Sequence, residues 1–133
     1  MTFTWSVRVY WEDTDAGGVV YYANYLKFME RARSEWLRAF GIEQDALRDE
    51  AGVVFVVRRM EVDYLSPARF NDQLEVSVSL REVGRASLSV TQTLTRGPTR
   101  LVSAQVTLAC VDAARFKPVK IPPPILQALA HLS

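Results

Sequence analysis

The stretch WEDTDAGGVVYYANYLKFMERAR, Trp11 to Arg33, decides how this 133-residue chain folds. It sets Glu12, Asp13 and Asp15 directly before a glycine pair, and the pair before an apolar and aromatic run. Gly17 and Gly18 are turn chemistry, because glycine takes backbone conformations closed to other residues. From about Tyr22 to Asn24 the period changes: Tyr25, Met29, Ala32, Trp36 and Phe40 recur at helical spacing. Lys27, Glu30, Arg31, Ser34, Glu35 and Arg38 lie mostly off that stripe, and Gly41 supplies a C-terminal stop. An acidic turn therefore feeds one long amphipathic helix.

Upstream, Phe3 to Trp11 is rich in β-branched and aromatic residues and reads as a strand. Downstream, a polar connection with room for a small helix leads into VVFVVRRMEVDYL, Val53 to Leu65, a long strand closed by Ser66-Pro67. Leu74, Val76, Val78 and Leu80 alternate with Gln73, Glu75, Ser77, Ser79 and Arg81, the pattern of a half-buried strand. Beyond Gly84, Leu88, Val90 and Leu94 face one way and Ser89, Thr91 and Thr93 the other. After the turn RGPT, Val102, Ala104, Val106, Leu108 and Cys110 alternate once more. One strand, one helix and four strands mostly in hairpin succession predict an α+β fold: an antiparallel sheet whose apolar face the helix covers. KIPPPILQALAHLS leaves the sheet through three prolines and ends in a short apolar tail that docks. No repeat or linker divides the chain, so residues 1–133 read as a single domain. A sheet with one helix over it leaves an open edge or face, which predicts pairing with a second copy.

Composition narrows the class. Hydrophobic residues make up 49% and charged residues 23%, as in a folded globular protein. A formal net charge of +1 argues against a dedicated nucleic-acid binder, and no nucleic-acid partner is expected. Cys110 is the single cysteine, which excludes an intrachain disulfide and fits a reducing compartment. No stretch approaches the roughly 18 apolar residues of a membrane span, and no basic leader precedes an apolar core, so a cytoplasmic location is expected.

The common catalytic sets are missing. His131, the one histidine, stands two residues from the end, which leaves no base for a Ser-His-Asp or Cys-His arrangement. One cysteine and one distant histidine do not supply a zinc site, so no metal is expected. Neither GxGxxG nor GxxxxGK[ST] occurs. The carboxylates remain. Asp15 precedes a turn that feeds a helix, and the first N–H groups of a helix have no partner within it. Together with the positive end of the helix dipole they suit a developing oxyanion. A carbonyl held there is open to a water that Asp15 deprotonates, or to Asp15 itself. The structural alternative is that the acids only cap the helix, that Asn24 is an ordinary first-turn residue, and that Tyr21, Tyr22 and Tyr25 are wall and core.

EDTDAGGVVYYANYLKFMERAR, followed by FVVRRMEVDYLSPARFNDQLEV, resembles the hotdog-fold thioesterases of the 4-hydroxybenzoyl-CoA thioesterase family, in particular the Tol-Pal-associated bacterial type. The resemblance runs from about Val7 to Asp112. It implies a five-stranded antiparallel sheet wrapped around one long helix, assembled as a homodimer or homotetramer. It implies hydrolysis of an acyl-CoA thioester without a cofactor, and acyl carrier protein as a further source of substrate. Residue by residue, the catalytic carboxylate falls on Asp15, with Asp13 and Gly18 in support, and the oxyanion donor on the Tyr22 N–H. Tol-Pal-associated members carry a histidine where this chain has Tyr22, which preserves the N–H and removes any imidazole. Arg85, Ser87, Arg58 and Arg59 are the candidates for holding coenzyme A, each arginine having a solvated surface charge as its plain alternative. Val20, Tyr21, Tyr25 and Trp36 are candidate walls of an acyl pocket. Two rivals remain: a hotdog dehydratase or hydratase, disfavoured by the absence of a helix histidine, and a protein that binds acyl-CoA or acyl carrier protein without hydrolysis.

Overall fold

The computed structural model describes residues 2–131; Met1, Leu132 and Ser133, parts of the expected single domain, lie outside the described residues. The strands are β1 (Thr2–Arg8), β2 (Val53–Tyr64), β3 (Gln73–Val83), β4 (Ser87–Arg96) and β5 (Thr99–Asp112). They form one antiparallel sheet in the order β1-β3-β4-β5-β2. The long helix α1 (Asn24–Ala39) lies on one face of it, as the hotdog resemblance implies. α1 buries Tyr25, Phe28, Met29, Ala32, Trp36 and Leu37 against Leu74, Val76, Val78, Val90 and Val106 from the sheet. At about 1.5–3 kcal/mol for each large apolar side chain removed from water, this single core carries the fold.

Three expectations need correction. The succession of hairpins fails at β2, which does not pair with β3 but crosses to the far edge beside β5. The first strand stops at Arg8 rather than Trp11, because the Asp13 carboxylate accepts the Tyr10 N–H at 2.8 Å and turns Trp11–Asp13 into a 3-10 turn. Trp36 walls no acyl pocket; it is 2% exposed in the core and meets Phe40 edge to face.

The polar connection does hold a small helix, α2 (Gln44–Ala46), continued by a wider turn over Leu47–Ala51. The apolar tail forms α3 (Pro123–Ala130), docked through Ile121, Ile125 and Leu129. β2 and β1 are the sheet edges, and β2 is the longer. Val57 sits opposite Leu108 but Arg59 opposite Thr107, so a bulge at Arg58 shifts the strand by one residue. On either side of it Phe55, Val57, Met60, Val62 and Tyr64 share register with the inward residues Cys110, Leu108, Val106, Ala104 and Val102. α1 packs mainly on β3 and β1, which leaves this inner face of β2 half open.

Candidate active site

The acidic turn and the helix start are locked together by the backbone. The Asp13 carbonyl accepts both the Tyr21 N–H at 3.0 Å and the Asn24 side-chain amide at 2.9 Å. Between them, Thr14 and Val20 face each other across a tight hairpin whose tip is Asp15 to Val19, with the Asp15 N–H bonded to the Val19 carbonyl. Gly18 has φ +80°, a conformation that costs any side chain strain, so the hairpin requires glycine there. One Asp15 carboxylate oxygen accepts the Gly17 N–H at 2.8 Å, which orients the carboxylate, and the residue is exposed.

Neither acid caps α1. Asp13 closes the 3-10 turn, Asp15 closes its own hairpin, and α1 begins from Ala23 with no side-chain cap and no acid in its first turn. The Tyr22 N–H, two residues before the first helical position, has no acceptor among the described residues. The capping alternative is therefore excluded for both aspartates, and an unpaired donor stands just ahead of the helix, whose Asn24 and Leu26 N–H groups bond the Tyr21 and Ala23 carbonyls.

Beside this start lies a hollow of about 260 Å³ lined by Val20, Tyr22, Tyr25, Tyr64, Leu65 and Pro67, among others. Tyr64 meets Tyr22 edge to face at 6.0 Å and Tyr25 at 5.8 Å. The Tyr25 hydroxyl accepts the Ala68 N–H at 2.9 Å. Burial pushes the Tyr25 hydroxyl above its ordinary pKa, and the negative charge of Asp15 is among the smaller contributions in the same direction. Tyr21, a candidate for that wall, does not line this hollow; it is 46% exposed and its ring meets that of Tyr22.

The four candidates for coenzyme A separate. Arg58 and Ser87 meet across the outer face of the sheet, opposite α1, in a hollow of about 340 Å³ that also takes in Arg81, Ser89 and Thr107. The Ser89 hydroxyl is buried there and has no hydrogen-bond partner among the described residues. Neither Arg58 nor Arg81 has an ion pair among the described residues, although Glu82 also borders the hollow. Arg59 is paired with Glu61 at 2.6 Å and borders the next hollow. Arg85 is exposed on the turn after β3 and lines neither; its carbonyl accepts the Ile121 N–H at 2.9 Å.

Comparison with known proteins places this geometry. The model of the thioesterase-like superfamily matches residues 9–129. The chain belongs to that superfamily. It is 45% identical to an acyl-CoA thioesterase, YbgC, of Haemophilus influenzae over 98% of this chain and 96% of that protein. It is 46% identical to the acyl-CoA thioester hydrolase YbgC of Escherichia coli, covering 93% of this chain and 92% of that one. Among solved structures, a probable thioesterase from Bartonella henselae superimposes with a TM-score of 0.86 at 35% identity, over 92% of this chain and all of that one. Among the described residues no helix is long and apolar enough to cross a membrane.

Reasoning from sequence missed Tyr64 to Pro67 as pocket wall and Arg81 and Ser89 in the outer hollow. The signal for Tyr64 was present: it continues the inward alternation of β2. For Ser89 there was none, since a serine on a polar strand face looks alike whether or not its hydroxyl finds a partner.

Proposed function

We propose that this protein hydrolyses acyl-CoA thioesters at the junction of the acidic hairpin and the start of α1. The reaction class rests on family membership and on the identity to acyl-CoA thioesterases. The observation that carries the residue assignment is the uncapped helix start, where the Tyr22 N–H stands without an acceptor beside a hairpin that presents the Asp15 carboxylate.

The thioester carbonyl oxygen accepts the Tyr22 N–H, which with the helix dipole holds the charge that develops on it. Asp15 removes a proton from a water as its oxygen bonds to the carbonyl carbon, giving a tetrahedral oxyanion. Its collapse breaks the C–S bond, and the proton taken up by Asp15 goes to the leaving thiolate. Direct attack by Asp15 gives a mixed anhydride that water then cleaves, with the same products. The apolar tyrosine pocket takes the acyl group, with Val20 and Tyr25 as floor. Asp13 and Gly18 support by fixing the hairpin.

Arg58, Arg81, Ser87 and Ser89 suit the phosphates of coenzyme A, because two unpaired guanidinium groups and an orphaned hydroxyl all lack what a phosphate supplies. The chain itself then needs no cofactor. The open β2 edge suits pairing with a second copy in a dimer or a dimer of dimers. The test is thiol release from a panel of short, long and aromatic acyl-CoAs by folded protein. Hydrolysis of at least one member supports the assignment; binding without hydrolysis of any member overturns it in favour of a non-hydrolytic binder of acyl-CoA or acyl carrier protein.

A further inference from the structure

Arg33 is a buried cation with no ion pair among the described residues. Its side chain points from α1 toward the sheet, and the residue is 7% exposed. The one hydrogen bond it makes among the described residues goes to a neutral partner, the Gln92 side-chain oxygen at 3.0 Å. Gln92, itself fully buried, spends its amide on the carbonyls of Met29 and Ser77 and so adds no negative charge. No carboxylate oxygen lies within 4.0 Å of Arg33 among the described residues. Desolvation holds the guanidinium below its ordinary pKa, opposed by the more distant Glu30. A buried charge is costly unless paired, so this arrangement calls for an anion.

The space for one is present. Arg33, Ser34, Leu37, Phe55, Val57 and Leu108 line a cavity of about 130 Å³ between α1 and the inner face of β2. A water's share of liquid volume is about 30 Å³, so a carboxylate with its neighbouring methylenes fits. The cavity lies along the same edge strand as the tyrosine pocket: β2 contributes Phe55 and Val57 to the one and Tyr64 to the other, and the half-buried Met60 and Val62 lie between them in inward register. Leu26, 37% exposed on α1, faces solvent along the same stretch of helix. Arg33 follows Asn24 by nine residues. At about 1.5 Å of rise per residue, and with helical side chains leaning back toward the N-terminus, its guanidinium lies roughly 10 Å from the helix start, the reach of an extended medium-length acyl chain.

We propose that the groove between α1 and β2 is the acyl channel and that Arg33 selects acyl groups ending in a carboxylate, so that dicarboxylic acid monothioesters of medium length are preferred substrates. This rests on the thioesterase reading above. Glu30 stands at the cavity rim, exposed and hydrogen-bonded to Ser34, and its charge weakens the preference without removing it.

The experiment compares kcat/KM for matched pairs, adipoyl-CoA against hexanoyl-CoA and suberoyl-CoA against octanoyl-CoA, in the wild type, R33M, R33K and E30Q. The expected result is a wild-type preference of about tenfold or more for the dicarboxylic member of one pair, equivalent to about 1.4 kcal/mol. R33M reverses it, R33K restores part of it, and E30Q increases it. Should R33M fail to fold, the wild-type ratio and the shift in E30Q decide alone. Hydrolysis with equal or greater kcat/KM on both monocarboxylic members overturns the role of Arg33 while leaving the thioesterase intact. No hydrolysis of any of the four, nor of the wider acyl-CoA panel, overturns the thioesterase reading instead.

Discussion

Asp15→Asn separates the chemistry of the hairpin from its construction. Asparagine keeps a side-chain oxygen where the aspartate accepts the Gly17 N–H at 2.8 Å, so the turn that presents the side chain is retained. Asp15 is exposed, and a substitution there that preserves its one side-chain bond changes stability by less than about 0.5 kcal/mol. What disappears is the base, or the nucleophile. Loss of a positioned general base lowers kcat by about 10²- to 10⁴-fold. That is roughly 3–5 kcal/mol of transition-state stabilisation at about 1.36 kcal/mol per decade. Asp13→Asn is the control: its carboxylate accepts only the Tyr10 N–H, and its ties to Tyr21 and Asn24 run through the backbone carbonyl, so kcat falls less than about tenfold. The assay is thiol release under saturating acyl-CoA, beside thermal melting of each variant. An Asp15→Asn protein that melts with the wild type and turns over within about threefold of it refutes the mechanism.

Gly17→Ala brings a Cβ to 3.2 Å from the Asp15 carboxylate oxygen, so it displaces the carboxylate by a few tenths of an ångström; kcat drops while the melting temperature hardly moves. Gly18→Ala meets nothing within 4 Å but must hold φ +80°, which costs about 1–2 kcal/mol and lowers the melting temperature by several degrees. For Asp72, burial pushes the carboxyl up, but the Arg69 N–H and the Arg96 guanidinium at 2.7 Å outweigh it and leave the pKa below 3.8. The unfolded chain therefore binds the proton more readily. The stabilisation is complete above pH 3.8 and is lost as pH falls below it through the folded value, and Arg96→Met flattens that acid limb of a melting-temperature profile.

The sheet and helix were legible because their signals are periodic. The alternations of Leu74 to Val78 and Val102 to Cys110 survive as buried rows, with Leu80 half-buried at the end of the first, and the stripe from Tyr25 to Trp36 is the buried face of α1. Strand order was not legible at β2, since alternation says which residues share a face and nothing about which strand lies alongside. The long crossing from β2 to β3 passes through Pro67, Ala68 and Asn71, and the Ala68 carbonyl accepts the Val20 N–H at 2.8 Å, which brings that crossing against the acidic hairpin. The end of the first strand was misplaced for a similar reason. Tyr10 and Trp11 have strand propensity, but a single side-chain bond from Asp13 turns the chain before they can pair. The candidate hairpin was readable because carboxylate, glycine pair and helix start are contiguous. Of the hollow's walls Val20 and Tyr25 were readable, whereas Tyr64 to Pro67 were missed: alternation gives their face but not that the opposite edge of the sheet comes beside the hairpin.

The helix start is also the place where this chain departs from the rules it follows elsewhere. A serine, threonine, aspartate or asparagine at the N-cap stabilises a helix by about 0.5–2 kcal/mol, and α1 begins from Ala23 instead. Asp13 stands close enough in space to cap α1, yet its carboxylate is turned back onto Tyr10 and only its carbonyl meets Asn24. On the proposed mechanism a carboxylate capping the first turn would set a negative charge beside the oxyanion assigned to the Tyr22 N–H. Two carboxylates one residue apart are thus kept off the same helix terminus by different bonds, Asp13 by the 3-10 turn and Asp15 by Gly17. An uncapped start with two carboxylates held beside it fits the proposed oxyanion site, whereas a packing role for Asp13 and Asp15 alone would favour the cap.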